Sequence, residues 1–231
     1  MFRDLIERAS ERLPARCAVC HAWPSRVVCD ACVARFAQPV TRCGTCALPV
    51  PAGVTHCGAC VKAPPPVDAC LAAVPYAWPW SHCVARFKFG GQPGWAHTLA
   101  TVMRSTPWVE PALEQADCVL PMPLSRERLA TRGFNQALLL AQYLAPGTTD
   151  ATLLLRTRHT PPQSELQRAD RLRNVQGAFA VEPLRASGLR GQRVVLVDDV
   201  MTSGASLHAA ALTLRQAGVA HITAVLLART E

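Results

Sequence analysis

"VVLVDDVMTSGASL", residues 194–207, decides how this chain is read. Four apolar residues run into Asp198 and Asp199, and a small, hydroxyl-rich turn follows, Met201-Thr202-Ser203-Gly204-Ala205-Ser206. A short apolar run that ends in turn residues predicts a buried strand over 193–199. The next stretch, 204–218, carries Leu207, Ala210, Ala211 and Leu214 on one stripe and Gly218 at its end, which predicts a helix with a glycine cap. In open α/β sheets, ligands lie beyond the carboxyl ends of strands. There the N–H groups at the start of the helix favour phosphate. Thr202, Ser203 and Ser206 add hydroxyl donors, and Gly204 lets the backbone come close. Two carboxylates beside such a loop suit a vicinal diol. The stretch is therefore expected to hold a sugar phosphate.

Other readings of the same residues fare less well. A P-loop needs Gly-Lys-Ser/Thr after its strand, and no lysine is present here. A receiver domain pairs its acidic residues near the N-terminus, with no phosphate-holding turn behind them. The plain alternative is a strand end with solvated aspartates and an ordinary helix start.

Working outward, strand-like and helix-like stretches alternate. Strands are expected at 70–78, 151–156, 178–181 and 221–228, with a short apolar run at 116–123; helices are expected at 81–89 and 135–145. Such alternation argues for a parallel sheet flanked by helices. "PMPLSRERLATRGFNQ" joins a strand to a helix and carries Arg126, Arg128 and Arg132, with Gly133 permitting an unusual turn. "RTRHTPPQSELQRADRLRN" (156–174) is polar and holds five arginines; an exposed helix with solvated arginines is its bland alternative. Arg86 and Lys88 suit phosphate or nucleic acid, and Tyr76, Trp78 and Trp80 suit base stacking or simple packing.

Ahead of this lies a different composition. Eight of the eleven cysteines sit between residues 17 and 60 in four C-x2-C pairs: Cys17/Cys20, Cys29/Cys32, Cys43/Cys46 and Cys57/Cys60. Two such knuckles complete a tetrahedron of thiolates, and a filled four-sulfur site is structural. Sequential pairing joins Cys17, Cys20, Cys29 and Cys32 on one Zn²⁺ and Cys43, Cys46, Cys57 and Cys60 on a second. A cross-braced pairing, with knuckles one and three sharing an ion, is the alternative. Redox dithiols are disfavoured, because no βαβ pattern surrounds the pairs. His21 and His56 stand beside cysteines, but eight thiols already fill two sites. A Pro-rich segment, "KAPPPV", follows as a linker. The expected organisation is an N-terminal helix over 1–16, a double zinc-ribbon module over 17–62 and an α/β domain over 67–231.

The chain has 231 residues, a formal charge of +8 and only two lysines, Lys62 and Lys88, among 24 basic residues. Arginine offers a planar donor fork suited to phosphate. There is no apolar run long enough to span a bilayer, and charges interrupt the first 17 residues before any signal-peptide core forms. A cytoplasmic location, with thiols reduced and no membrane insertion, is expected.

With these residues in view, "VVLVDDVMTSGAS" resembles the phosphoribosyl-diphosphate signature of type I phosphoribosyltransferases. Serine stands at 203 and 206 where that signature has threonine, keeping both hydroxyls. The order of cysteine knuckles, "PLSRERLATRGFNQALLLA" (123–141), "RTRHTPPQSELQRADRLRNVQGAF" (156–179) and the signature is similar to the ComF family of double zinc ribbon and phosphoribosyltransferase proteins. The resemblance implies a type I phosphoribosyltransferase fold carrying a small zinc-ribbon module. It implies that Asp198 and Asp199 bind the ribose hydroxyls as catalytic residues. Val200, Met201, Thr202, Ser203, Gly204, Ala205, Ser206 and Arg132 would bind phosphoribosyl diphosphate. Arg126, Arg158, Gln163, Arg171 and Asn174 would lie in the diphosphate-binding and mobile loops. It implies Mg²⁺ with the substrate, and a role in natural competence, the uptake and processing of single-stranded DNA beside a helicase or recombination protein. The alternative keeps the sugar-phosphate pocket without group transfer, in a module that binds single-stranded DNA or a partner protein.

Overall fold

The expected strand forms as β5, Arg193–Met201, and organises what surrounds it. In the computed structural model, which describes residues 14–158 and 177–231, four parallel strands make one sheet in the order β1-β6-β5-β2. β1 is Ala69–Pro75, β2 is Cys118–Pro121 and β6 is His221–Arg229. β5 pairs with β6 from Arg193 opposite His221 to Met201 opposite Arg229, and with β2 from Cys118 opposite Val194 to Pro121 opposite Val197. Because all four run the same way, their carboxyl ends share one edge.

The alternation of β5 and β6 sends Val194, Leu196, Ile222, Ala224 and Leu226 into a core with Leu207, Ala210, Ala211 and Leu214 of the helix Ala205–Gln216. The other helices, in chain order, are α1 (Asp30–Phe36), α2 (Gly58–Lys62), α3 (Trp80–Phe89), α4 (Trp95–Arg104), α5 (Val109–Glu114), α6 (Arg126–Arg132) and α7 (Gln136–Leu144); the helix Ala205–Gln216 is α8. α4 packs on β1 and β6, and α7 on β2 and β5. α4 follows from Trp95, Leu99 and Met103, which recur every four residues and are all buried.

Two stretches differ from expectation. The segments read as parallel strands at 151–156 and 178–181 form instead a separate antiparallel ribbon, β3 (Leu154–Arg156) with β4 (Phe179–Val181). They pair from Leu154 opposite Val181 to Arg156 opposite Phe179. The loop expected after β2 is largely α6. Ser125 caps it by accepting a hydrogen bond from the Arg128 N–H, and Gly133 ends it at φ +78°.

The chain divides into two compact units between Gln38 and Pro39. This division falls between the two cysteine tetrads, whereas the sequence reading set both in one module ending at 62. The reason is packing. Cys43, Cys46, Ala47 and Cys60 share a hydrophobic core with Val67, Cys70, Ala72, Ala224 and Leu226. The Cys70 N–H donates to the Gly44 carbonyl at 2.7 Å, hanging the knuckle on β1. Of the N-terminal helix expected over 1–16, residues 1–13 lie outside the described residues, as does 159–176, and 14–16 are not helical, Ala15 pairing with Ser25. Among the described residues no helix is long and apolar enough to cross a membrane.

Candidate functional site

β5 delivers Asp198 and Asp199 to the carboxyl edge of the sheet, and the backbone then turns into α8. Gly204 is the N-cap of α8 and lies at φ +79°, where an added Cβ would stand 2.9 Å from the His208 ring. Glycine is required there by conformation and by space. The Ala205 N–H donates to Ser203 Oγ at 3.4 Å, which closes the first turn.

A cavity of about 160 Å³ opens at this edge. Asp198, Asp199, Val200, Met201, Thr202, Gly204, Ala205 and Ser206 line it, as Arg132 does. The acid pair, the loop and one expected arginine are therefore brought together. Ser203 turns its hydroxyl to the Ala205 amide rather than to the cavity. Arg126 and Arg158 are exposed and outside the lining. The helical form of 126–132 explains the first: Arg128 and Arg132, not Arg126, fall on the cavity side. Gln163, Arg171 and Asn174 lie outside the described residues.

The cavity sets two carboxylates against a group of cations. Burial, and then the adjoining Asp199 carboxylate, push Asp198 up to about 7, against the pull of Lys88. Asp199 is 5% exposed and its Oδ1 lies 2.8 Å from Lys88 Nζ. Lys88 closes the last turn of α3, so the glycine stop at Gly90 sets where that cation stands. Across the cavity, Arg128, Arg132 and Arg156 converge. Burial and the neighbouring Arg128 lower Arg156 to about 10, and burial with the neighbouring Arg132 lowers Arg128. Crowded cations of this kind gain from an anion between them. The Arg132 guanidinium donates to Gln136 Oε1 at 3.0 Å and stacks over the Phe89 ring at 5.4 Å from its centroid. Phe87, one residue pair earlier, is fully buried. Of the three aromatic residues at 76–80, Trp80 is core while Trp78 and Tyr76 are exposed.

Sequence reasoning did not single out Arg156 or Arg229. Arg156 was one of five arginines in a run, and only the β3 pairing aims it at the cavity. Arg229 is buried at the end of β6, where nothing in the sequence distinguishes it from a surface arginine.

The cysteines settle their pairing. Cys17, Cys20, Cys29 and Cys32 form one cluster and Cys43, Cys46, Cys57 and Cys60 a second, with the sulfurs of each within 4.8 Å of one another. This is the sequential arrangement. Sγ pairs stand at 3.9 Å for Cys17–Cys32, 3.6 Å for Cys20–Cys29 and 3.6 Å for Cys46–Cys57. A tetrahedral zinc with bonds of about 2.3 Å sets its sulfurs about 3.8 Å apart, so the donor sets fit that ion. Backbone N–H groups support the thiolates: Cys29 donates to Cys17 Sγ at 3.4 Å and Cys57 to Cys43 Sγ at 3.3 Å. Although burial raises Cys17 and Cys43, such backbone donors bring both down to about 6. Burial and the neighbouring sulfurs push Cys32 up, and burial does most to raise Cys46. Four thiolates thus share a space that only a cation lets them ionise together.

A parallel sheet in which an inner strand ends in paired carboxylates and a glycine-capped turn into a helix fits a phosphoribosyltransferase fold. A model of the phosphoribosyl transferase domain matches residues 129–231. The DNA utilization protein YhgH of Salmonella typhimurium is 31% identical, over 94% of this chain and 98% of its own. Competence protein F of Haemophilus influenzae is 32% identical over 81% of this chain and 84% of its own. Competence protein ComFC of Bacillus subtilis is 31% identical over 59% of this chain and 54% of its own. With its two four-cysteine clusters and this domain, the chain belongs to the ComF family.

Proposed function

We propose that the chain binds phosphoribosyl diphosphate with Mg²⁺ at the β5–α8 edge, as part of DNA uptake or utilisation. The observation that carries this is the single cavity in which an acid pair, a helix-start loop and three arginines meet. Asp198 and Asp199 accept hydrogen bonds from the ribose hydroxyls. The amides and hydroxyls of 202–206 hold the 5′-phosphate. Arg128, Arg132 and Arg156 face the diphosphate and neutralise its charge. Mg²⁺ bound with the ligand would add positive charge beside the diphosphate, near Asp198 and Asp199. The two tetrads hold structural Zn²⁺. The role in DNA rests on the relatives, whose names speak of DNA utilisation and competence.

Calorimetric titration of the full chain with phosphoribosyl diphosphate and Mg²⁺ tests the reading. Asp198→Asn with Asp199→Asn is expected to weaken binding at least about a hundredfold, as loss of two hydrogen-bonded charges does, while the circular dichroism spectrum stays as in the wild type. Absence of heat with the wild type refutes the reading.

A second reading keeps the cavity but makes the chain a single-stranded DNA module. The exposed Phe89 ring beside Arg132, at the cavity rim, favours it. In that case the same double variant leaves DNA affinity and its salt dependence intact.

A further inference from the structure

Arg229, the last residue of β6, is 6% exposed and joins two regions far apart in sequence. Its Nε donates to the carbonyl of Cys46, 2.9 Å away, within the second cysteine tetrad. Its Nη1 donates to the carbonyls of Met201 at 3.2 Å and Thr202 at 2.6 Å, at the start of the anion loop. Thr230 adds its own N–H to the Met201 carbonyl at 3.1 Å.

We propose that Arg229 is a positioning residue that makes the loop's grip on phosphate depend on the metal held by Cys43, Cys46, Cys57 and Cys60. The proposal rests on the phosphate-binding reading of 202–206 given above. In a trans peptide the C=O and N–H point opposite ways. Pulling the Met201 and Thr202 carbonyls toward Arg229 therefore turns the Thr202 and Ser203 N–H groups away from it. The guanidinium is a rigid planar fork, so it transmits the position of one acceptor to the others. The Cys46 carbonyl is itself fixed by the knuckle. Arg42 donates to the Ala47 carbonyl at 2.9 Å, Ala47 lies at φ 55°, and Cys46 Sγ stands 3.6 Å from Cys57 Sγ. Without a cation those sulfurs lose the reason to stay together, and the acceptor that aligns the fork moves with them. By reciprocity, ligand on the loop slows metal loss from this tetrad.

Hydrogen exchange over 201–206, read by mass spectrometry on the ligand-free full chain, tests the link directly. Metal content of each variant is measured beside it. Cys57→Ser, at one metal per chain, and Arg229→Met are each expected to speed exchange of these amides about tenfold, a loss of local stability of roughly 1.4 kcal/mol. Combined, the two changes are expected to do no more than either alone, since both cut one connection. Cys20→Ser, which empties the first tetrad instead, leaves 201–206 unchanged. Arg229→Lys keeps the charge and both metals but cannot span the three carbonyls, so it too speeds exchange. Wild-type exchange in Arg229→Lys, or additive effects of Cys57→Ser and Arg229→Met, overturn the proposal, and the lysine variant decides should Cys57→Ser fail to fold. Titration with phosphoribosyl diphosphate separates the two ideas. A wild type that does not bind sinks the ligand reading, while the exchange data still judge the link.

Discussion

Asp198 shows what an acidic strand end costs and what it provides. Its carboxyl titrates near neutrality because burial and a second carboxylate oppose its charge. A carboxylate raised in the folded state stabilises the fold fully below its unfolded value, near 3.8, and that contribution is lost as pH rises through about 7. Asp198→Asn is therefore expected to raise stability above pH 7 by on the order of 2 kcal/mol. Denaturant melts of the two proteins at about pH 3 and about pH 8 check this: the advantage of the asparagine is absent at the lower value, opens as pH rises past about 4 and is complete above about 7. If the proposed ligand binds through the ionised pair, its affinity is expected to move the opposite way and weaken as pH falls through about 7. That two carboxylates stood together was plain from the sequence. That Lys88, more than a hundred residues earlier, would meet one of them was not, because a helix end fixes its place. Arg126 illustrates the converse. Three arginines within seven residues read alike until the stretch is known to be helical, and then only two face the cavity.

At the scale of elements, the β5–turn–α8 unit was legible almost to the residue, since apolar run, acid pair, glycine and amphipathic stripe all agree. α4 carried an equally clear repeat in Trp95, Leu99 and Met103, which the sequence reading did not take up. β3 and β4 misled because three-residue strands hold too little pattern to state a partner or a direction. The α8 start supplies its own test. Gly204→Ala forces a side chain into a left-handed conformation and against the His208 ring. Its expected cost is about 1–2 kcal/mol of stability. Thermal melts measure it, and His208→Ala in the same chain is expected to relieve the contact but not the backbone strain. The ring is worth keeping: burial, and Arg229 next, lower the His208 pKa, and its Nε2 is buried without a hydrogen-bond partner among the described residues. An imidazole held toward its neutral form under the loop adds little charge beside the cations that line the cavity.

Over the whole molecule, the two metal clusters differ in how they are housed. The first has Cys20 exposed and Cys29 half-buried, with Cys17, Val28 and Cys32 as the buried apolar residues among those described in its unit. The second is continuous with the core that supports the sheet. A chelator is therefore expected to remove two ions in two phases. The first leaves the melting of 39–231 where it was, and the second lowers it by several degrees, as loss of a structural metal does. Metal release followed by a zinc-responsive dye, beside calorimetric melts, reports both; a single phase contradicts it. The thiols and their number were visible in the sequence. Their different housing was not, because the Pro-rich stretch at 62–67 looked like a boundary while the contacts that cross it come from β1 and β6.

The break after Gln38 also bears on how such a gene can vary. Every residue that lines the candidate pocket lies between Lys88 and Leu207, and the strut beneath it runs from Cys46 to Arg229. The first tetrad thus stands as an accessory cartridge: a shortened gene that began at Pro39 would still encode every described residue of the pocket and of the strut, leaving the leading piece open to exchange.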